Sequence, residues 1–364
     1  MSERILATYR IAAPESESRP RAEALAAEQS VEMPVSAIGD ARVLEEIVAR
    51  VESIRPHADE FEVVLGIARS TTGDEASQLL NMLFGNCSLQ PEVELVDVAF
   101  PRGYERAFPG PRFGISGIRA LTGVHDRALT CTALKPQGST VEHLAELARQ
   151  FALAGIDVIK DDHGLANQAF SPFAKRVPAV QKAIDVANRE TGGNTIYAPT
   201  FSGGPTALSE QARVAGAHGV RMALVAPMLV GIPAFIELRS GLGLPILAHP
   251  AFGGASRVAP PLLLARLFRL FGADATIFPN HGGRFSYSRA TCLAIAAAAR
   301  EPWEELKPIL PVPAGGMTVE RVPEMLAGYG RDTMLLIGGG LLAAGAELVE
   351  KSREFVRKVA EPHA

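Results

Sequence analysis

A short apolar run in the middle of the chain ends in a cluster of ionisable side chains. Residues 155–159 are followed by Lys160, Asp161, Asp162 and His163. Because side chains alternate between the two faces of an extended strand, Lys160 and Asp162 should project to one side and Asp161 to the other. Charged groups at a strand end are costly unless water or a partner reaches them. The pattern therefore predicts either a lysine–aspartate ion pair or a site for a divalent metal.

The residue types say which metal chemistry is available. Asp162 and His163 can bind a metal directly, whereas a protonated lysine cannot. Lys160 could join them only if its neutral amine reacted with carbon dioxide to form a carbamate, which is an oxygen ligand. An oxygen-rich site favours Mg²⁺, although an imidazole makes the site softer than three carboxylates would. The ion pair and the metal site remain equally open at this point.

Three further cationic or titratable residues follow apolar runs. Lys135 precedes a proline, and a partly buried lysine near a metal would lose proton affinity and could act as acid or base. A solvated lysine is the alternative. His249 and His281 end two neighbouring runs, and His281 is followed by two glycines and Arg284. A pair of this kind favours a polar or anionic ligand over two structural histidines.

These residues lie at the ends of elements that alternate regularly from about residue 125 onward. The expected strands are 128–136, 156–162, 195–200, 220–226, 244–249, 275–280, 309–314 and 333–337, and the expected helices are 141–154, 172–190, 209–218, 260–271, 287–300, 319–329 and 341–359. Strand–helix alternation over eight units predicts a closed (β/α)8 TIM barrel. A doubly wound sheet is the alternative, but it usually has an early Gly-x-Gly-x-x-Gly motif, which this chain lacks.

Glycine clusters follow the last two expected strands. They are Gly315-Gly316 and Gly338-Gly339-Gly340. Glycines let backbone N–H groups approach a phosphate closely, and the loops after strands seven and eight are the frequent phosphate site of such barrels. A single Gly-Gly usually marks a tight turn, but two clusters at these two positions favour phosphate binding.

The first hundred residues predict a small α+β domain. The expected strands are 5–11, 62–68 and 94–99, the expected helices are 19–28, 41–53 and 75–84, and 100–120 is expected to be a connection rich in proline and glycine. We therefore expect an N-terminal domain over 1–110 and a barrel domain over 111–364.

Bulk properties exclude several classes of function. The net charge of −4 and pI of about 6.1 give no footprint for nucleic acid. No apolar run approaches the roughly 20 residues that span a bilayer, and the N-terminus leads straight into a strand-like segment, so we expect no signal peptide. The three cysteines lack metal-type spacing. A cytoplasmic enzyme is the expectation.

At this point the motifs resemble the large subunit of ribulose-bisphosphate carboxylase (RuBisCO) in order and spacing, over nearly the whole chain. The barrel motifs are Lys135-Pro136, Lys160-Asp161-Asp162, His249-Pro250, Gly315-Gly316 and Gly338-Gly339-Gly340. The segments around Glu28 and Asn86 resemble the two that the family's N-terminal domain contributes to the active site. The resemblance implies a ferredoxin-like N-terminal domain and Mg²⁺ on a carbamylated Lys160. It also implies a homodimer in which Glu28 and Asn86 complete the neighbouring subunit's site.

Five departures separate the chain from carbon dioxide fixation. His163 stands where the carboxylase has its third metal ligand, a glutamate; Gln137 replaces a lysine; Ala314 replaces a serine; Pro250 replaces a phosphate-binding arginine; and the loop 282–286 has no lysine. The chain therefore resembles the RuBisCO-like proteins (form IV), which keep the enolisation machinery and lose the carboxylation parts.

Several activities occur in that group. One branch, which has a lysine at the position of Asn86, enolises 2,3-diketo-5-methylthiopentyl 1-phosphate. The short loops and His163 resemble the divergent branch that isomerises 5-methylthioribulose 1-phosphate in methionine salvage, and we expect that activity. Decarboxylation or transcarboxylation of a sugar-acid phosphate in apionate breakdown stays open. So does a non-catalytic metabolite-binding regulator, although retention of Lys135, Lys160 and Asp162 argues against it.

Overall fold

The computed structural model describes residues 3–361, and the chain divides into two units. The smaller comprises the chain up to Phe108 together with Gly253–Leu263, and the larger comprises Pro109–Phe252 and the chain from Leu264 onward. Gly253–Leu263 lies in the smaller unit because its backbone bonds to Leu95: Leu95 N–H donates to the Arg257 carbonyl and Ala259 N–H to the Leu95 carbonyl, both at 2.9 Å. We keep a domain boundary near residue 110 as a proposal, with this segment assigned to the smaller unit.

The smaller unit is an antiparallel sheet with helices in the order βαββαβ, in which two helices, the first a single turn, lie between the third and fourth strands. Its strands are β1 Arg4–Ile11, β2 Arg50–His57, β3 Glu60–Ala68 and β4 Val93–Ala99, and its helices are α1 Ser18–Glu28, α2 Arg69–Thr72 and α3 Ala76–Phe84. The strand order is β2-β3-β1-β4. Alternate residues of β1 are buried, as a half-covered strand requires. This is the expected ferredoxin-like arrangement.

The prediction of a helix over 41–53 is wrong. A π-helical turn at Val43–Ile47 is followed by β2, which pairs antiparallel with β3 from Arg50↔Gly66 to His57↔Glu60. The segment is mostly exposed and rich in charge, which is typical of an edge strand. Hydrogen bonding to β3 outweighs the local helical preference.

The larger unit is a parallel barrel. Its strands are β5 Leu129–Leu134, β6 Val158–Asp161, β7 Ile196–Ala198, β8 Thr200–Phe201, β9 Ala223–Val225, β10 Ile246–Ala248, β11 Ala275–Pro279, β12 Leu310–Ala314 and β13 Met334–Leu336. β7 and β8 are halves of one strand interrupted at Pro199, which has no N–H to donate. β6 pairs with β7, β8 with β9 and β13 with β5, so the sheet closes on itself. Every expected barrel strand is present, and the TIM barrel is confirmed.

Helices surround these strands. They are α4 Gly114–Thr122, α5 Val141–Leu153, α6 Phe173–Thr191, α7 Pro205–Ala217, α8 Pro227–Val230, α9 Ile232–Leu242, α10 Phe268–Leu270, α11 Arg289–Arg300, α12 Val322–Tyr329, α13 Gly339–Leu342 and α14 Leu348–Ala360, with a π-helical stretch at Pro261–Leu267. The segment 100–120, expected to be a connection, contains the start of α4, whose Ile115 and Ile118 join the apolar core of the barrel. The sequence did not predict this helix because it contains two glycines, which have low helix propensity. Among the described residues, no helix is both long and apolar enough to cross a membrane.

Candidate active site

The carboxyl ends of β5, β6 and β10 bring four of the predicted residues together. Lys135 Nζ lies 3.0 Å from Asp162 Oδ1, and His163 Nδ1 lies 3.1 Å from the same oxygen. The rings of His163 and His249 stack with their centroids 4.3 Å apart and an interplanar angle of 9°. Residues separated by more than a hundred positions in the chain thus meet at the rim where barrel enzymes place their active sites.

Lys160 is 3 % exposed, and its ammonium donates to the main-chain carbonyl of Asp161 at 2.9 Å. Burial lowers the pKa of the Lys160 amine, and the nearby Lys135 charge adds to this effect against the opposing influence of Cys131 and Asp162. A lowered pKa increases the fraction of neutral amine. This is the form of lysine that can react with carbon dioxide.

Asp162 stays ionised in this setting. Burial acts to raise the pKa of its carboxyl, but hydrogen bonds from His163 and Lys135, together with the charges of Lys160 and Lys135, bring the pKa well below its usual value. The group is therefore an anionic oxygen donor throughout the physiological range.

Asp161 points away from Asp162, as strand alternation predicts. Its carboxylate is fully buried and accepts hydrogen bonds from Tyr197 Oη at 2.7 Å and from Arg176 Nε at 3.1 Å. Sequence reasoning missed both partners. A tyrosine inside a barrel strand and an arginine in the first turn of the next helix were the available signals.

His249 is held as a neutral imidazole. Its Nδ1 accepts a hydrogen bond from the Ala251 N–H at 3.1 Å, which places the ring proton on Nε2. Burial, followed by the charge of Lys160, lowers the pKa of His249 to about 2. The Nε2–H group can therefore donate a hydrogen bond to a substrate oxygen.

His281 has a carboxylate partner that sequence reasoning missed. Its Nε2 lies 3.0 Å from Glu324 Oε1, and Arg321 binds the same carboxylate through two nitrogens, at 3.0 and 3.2 Å. Arg321 Nη1 also donates to the carbonyls of His281 and Gly316, both at 3.1 Å. Hydrogen bonds from Arg321 and His281 lower the pKa of Glu324 to about 2. Arg321 and Glu324 thus tie the loop after β11 to the loop after β12.

Arg284 lies in the same loop as His281. Its guanidinium carbon is 5.1 Å from the ring centroid of Phe285, a cation–π contact. The role of Arg284 in substrate binding stays a prediction.

The glycine positions have different structural requirements. Gly315 and Gly316 have φ of 78° and 65°, and a Cβ on Gly316 would lie 2.2 Å from the Cα of Gly283. A Cβ on Gly338 would lie 3.7 Å from Lys135 Cε, whereas nothing lies within 4 Å of one on Gly339. Backbone packing therefore explains glycine at 316, and Gly338 lies beside Lys135.

In the smaller unit, Asn86 Nδ2 donates to Glu28 Oε1 at 2.9 Å. The same amide donates to Glu32 Oε1 at 2.7 Å. The two predicted residues are thus in contact, and Glu32, which sequence reasoning missed, is a second carboxylate on the same amide.

Comparison with known proteins identifies the family. Residues 114–240 match the family described as ribulose bisphosphate carboxylase large chain, catalytic domain. Ribulose bisphosphate carboxylase-like protein 1 of Rhodopseudomonas palustris is 52 % identical over 362 residues, which are 99 % of this chain and 98 % of that protein. The chain is a RuBisCO-like protein.

Other comparisons agree with this RuBisCO-like assignment. A protein of Rhodospirillum rubrum named 5-methylthioribulose-1-phosphate isomerase is 52 % identical over 363 residues, 99 % of this chain and 97 % of that one. The crystal structure of a Rubisco-like protein from Rhodopseudomonas palustris has a TM-score of 0.93 at 51 % identity, with 99 % of this chain and 98 % of that chain covered. The predicted family is confirmed.

The RuBisCO-like site accommodates a metal only with a contribution from Lys160. Within residues 3–361, no group of three His, Cys, Asp or Glu side chains is arranged to hold a metal ion. Asp162 offers a carboxylate and His163 an imidazole, and the charges of Asp162 and Lys135 both act on the pKa of the buried Lys160 amine. The donor set fits a divalent ion if Lys160 supplies an oxygen ligand as a carbamate.

Proposed function

We propose that this RuBisCO-like protein isomerises 5-methylthioribulose 1-phosphate by metal-assisted enolisation and proton transfer. The observation that carries the proposal is the ion pair of Lys135 with Asp162 at the barrel rim, together with the buried Lys160 two residues before Asp162. It occurs in a chain that is 52 % identical, over almost its full length, to a protein named as that isomerase.

Mg²⁺ would be held by carbamylated Lys160, Asp162 and His163. When bound, it supplies Lewis-acid stabilisation of the negative charge on an enolate oxygen. Burial of Lys160 supports this assignment because it favours the neutral amine. Loss of activity in EDTA-treated, carbon-dioxide-free buffer, with recovery on adding Mg²⁺ and bicarbonate, is the expected outcome. Equal activity in both buffers would remove the metal and the carbamate from the proposal.

Lys135 carries the proton in this proposal. As the neutral amine it takes a proton from a carbon next to the substrate carbonyl, and as the ammonium formed by that step it returns the proton at another carbon. Its contact with Asp162 at 3.0 Å places Nζ at the rim. His249 donates its Nε2–H to a substrate oxygen. Its neutral state suits that role, since a neutral donor leaves the charge of the metal site unchanged.

The phosphate binds the N–H groups of Gly315, Gly316, Gly338 and Gly339. His281 and Arg284, in the neighbouring loop, contribute further contacts to the anionic end of the substrate. A fall in affinity for inorganic phosphate in a Gly339→Pro variant, which lacks one N–H, would support this placement. An unchanged affinity would contradict it.

We also propose a homodimer with shared active sites, to which Glu28 and Asn86 contribute. The contact between Glu28 and Asn86 shows that the two side chains form one polar group. Light scattering at micromolar concentration should give twice the mass of the 38.6 kDa chain. A monomer mass would contradict the dimer.

Substrate specificity can be tested with a panel of phosphorylated ketoses in deuterated water, with products read by NMR. Isomerisation of 5-methylthioribulose 1-phosphate is the expected result. A relative from Geobacillus kaustophilus named 2,3-diketo-5-methylthiopentyl-1-phosphate enolase is 37 % identical over 272 residues. Turnover of the diketone alone would therefore favour the enolase reaction, and no exchange with any compound would favour a metabolite-binding regulator.

A further inference from the structure

Asp161 lies between the two proposed metal-site residues Lys160 and Asp162, yet its carboxylate faces away from them. Tyr197 Oη donates to Asp161 Oδ1 at 2.7 Å. Arg176 Nε and the Thr200 N–H donate to Oδ2, both at 3.1 Å. Asp161, Arg176 and Tyr197 are fully buried. A carboxylate with three donors in a dry environment is held in one orientation.

Arg176 extends this group to the loop that follows His163. Its guanidinium donates to the carbonyls of Ser171 at 2.5 Å, Ala166 at 2.8 Å and Leu165 at 3.3 Å. These carbonyls belong to the segment that connects β6 to α6. The loop is therefore tied to Asp161 through one buried cation.

The main chain around Asp161 is fixed as well. Its carbonyl accepts the hydrogen bond from Lys160 Nζ, at 2.9 Å. The carbonyl of Asp162 accepts one from Thr200 Oγ1 at 3.0 Å, and the Asp162 N–H donates to Leu134 at 3.2 Å. Lys160 and Asp162 thus depend on a short piece of backbone whose orientation the Asp161 carboxylate sets.

We infer that Asp161, Arg176 and Tyr197 form a positioning network that holds Lys160 and Asp162 in the arrangement that binds the divalent metal. The inference rests on the proposed function. These residues touch neither substrate nor metal; they act through the backbone. Removal of Arg176 or Asp161 would leave the other charge buried without its partner and would endanger folding. The Tyr197 hydroxyl is the smallest part of the network that can be removed.

The test is a Mn²⁺ titration of the full chain in bicarbonate buffer, with free Mn²⁺ read by electron paramagnetic resonance. Groups that orient metal ligands typically change metal affinity about 10- to 100-fold when removed. We expect Tyr197→Phe to weaken Mn²⁺ binding by that factor. Tyr329→Phe is the matched control because it removes a buried hydroxyl that donates at 2.6 Å to Asn280, a residue outside the network. Its Mn²⁺ affinity should equal that of the unsubstituted chain.

Each outcome is decisive. Unchanged affinity in Tyr197→Phe would overturn the network alone, and so would equal weakening in both phenylalanine variants, since that indicates general loosening. If the unsubstituted chain binds no Mn²⁺, the metal part of the proposed function fails together with this inference. Should Tyr197→Phe not fold, Arg176→Lys replaces it, because lysine keeps a buried cation beside Asp161 but, with three donors, cannot make all four hydrogen bonds of Arg176 to Asp161, Ser171, Leu165 and Ala166. The same weakening is expected, and an unchanged affinity would overturn the network.

Discussion

Replacement of Lys135 by methionine separates catalysis from stability. Its Nζ lies 3.0 Å from Asp162 Oδ1, and the side chains are 32 % and 15 % exposed. A positioned acid–base group contributes about 10²- to 10⁴-fold to a rate, so kcat at saturating Mg²⁺ should fall by that factor. An ion pair with a partly exposed lysine is worth about 1 kcal/mol or less. Methionine keeps the apolar stem, so the free energy of unfolding should change by no more than that.

Lys351 provides the matched control for this experiment. It is 30 % exposed and lies 2.7 Å from Glu320 Oε1, on the helix α14. We expect Lys351→Met to change unfolding by a similar amount and to leave kcat unchanged. Turnover of 5-methylthioribulose 1-phosphate and urea unfolding should be measured for both variants. Full turnover in Lys135→Met, or equal losses of turnover in both, would refute the role of Lys135 as the proton carrier.

Three further predictions concern pH, metal and glycine. The pKa of His249 is about 2 in the folded protein, against an ordinary value of 6.5. The unfolded chain therefore binds a proton below pH 6.5 that the folded protein does not, and the free energy of unfolding falls as the pH drops below 6.5. Between pH 6.5 and 5 the loss should approach about 2 kcal/mol, and urea unfolding of His249→Asn should show a flatter profile; an identical profile would contradict the buried neutral imidazole. Lys160→Met should abolish Mn²⁺ binding without unfolding the chain, and retained binding would exclude the carbamate. Gly316→Ala should lower the melting temperature because its φ is 65° and its Cβ would meet backbone, while Gly339→Ala, with open space, should not; equal melting temperatures would contradict the packing at Gly316.

The barrel was predictable because its strands are buried on both faces. Such strands read as short apolar runs ending in glycine, proline or polar residues, and all the expected runs became strands. β2 was not predictable in this way, since an exposed edge strand such as Arg50–His57 carries no apolar run and is defined by its partner. Long-range pairing decides such a segment, and local sequence does not record it.

The site residues at the ends of strands were predictable from the same apolar runs, and those in helices were not. Lys135, Asp162 and His249 end apolar runs, and parallel strands bring their carboxyl ends to one rim. Arg176 and Glu324 lie in helices, where charged residues are common, so nothing local distinguishes them from solvated ones. Their contacts with Asp161 and His281 depend on packing across the fold.

Enolisation and isomerisation can be measured together as deuterium incorporation into 5-methylthioribulose 1-phosphate, followed by NMR in deuterated buffer with Mg²⁺ and bicarbonate. We expect exchange at the carbon next to the carbonyl, together with formation of an isomer, and we expect both to be lost in EDTA-treated, carbon-dioxide-free buffer. Isomer formation without any metal or bicarbonate requirement would contradict the metal-assisted mechanism. Absence of both exchange and isomer would contradict the proposed function.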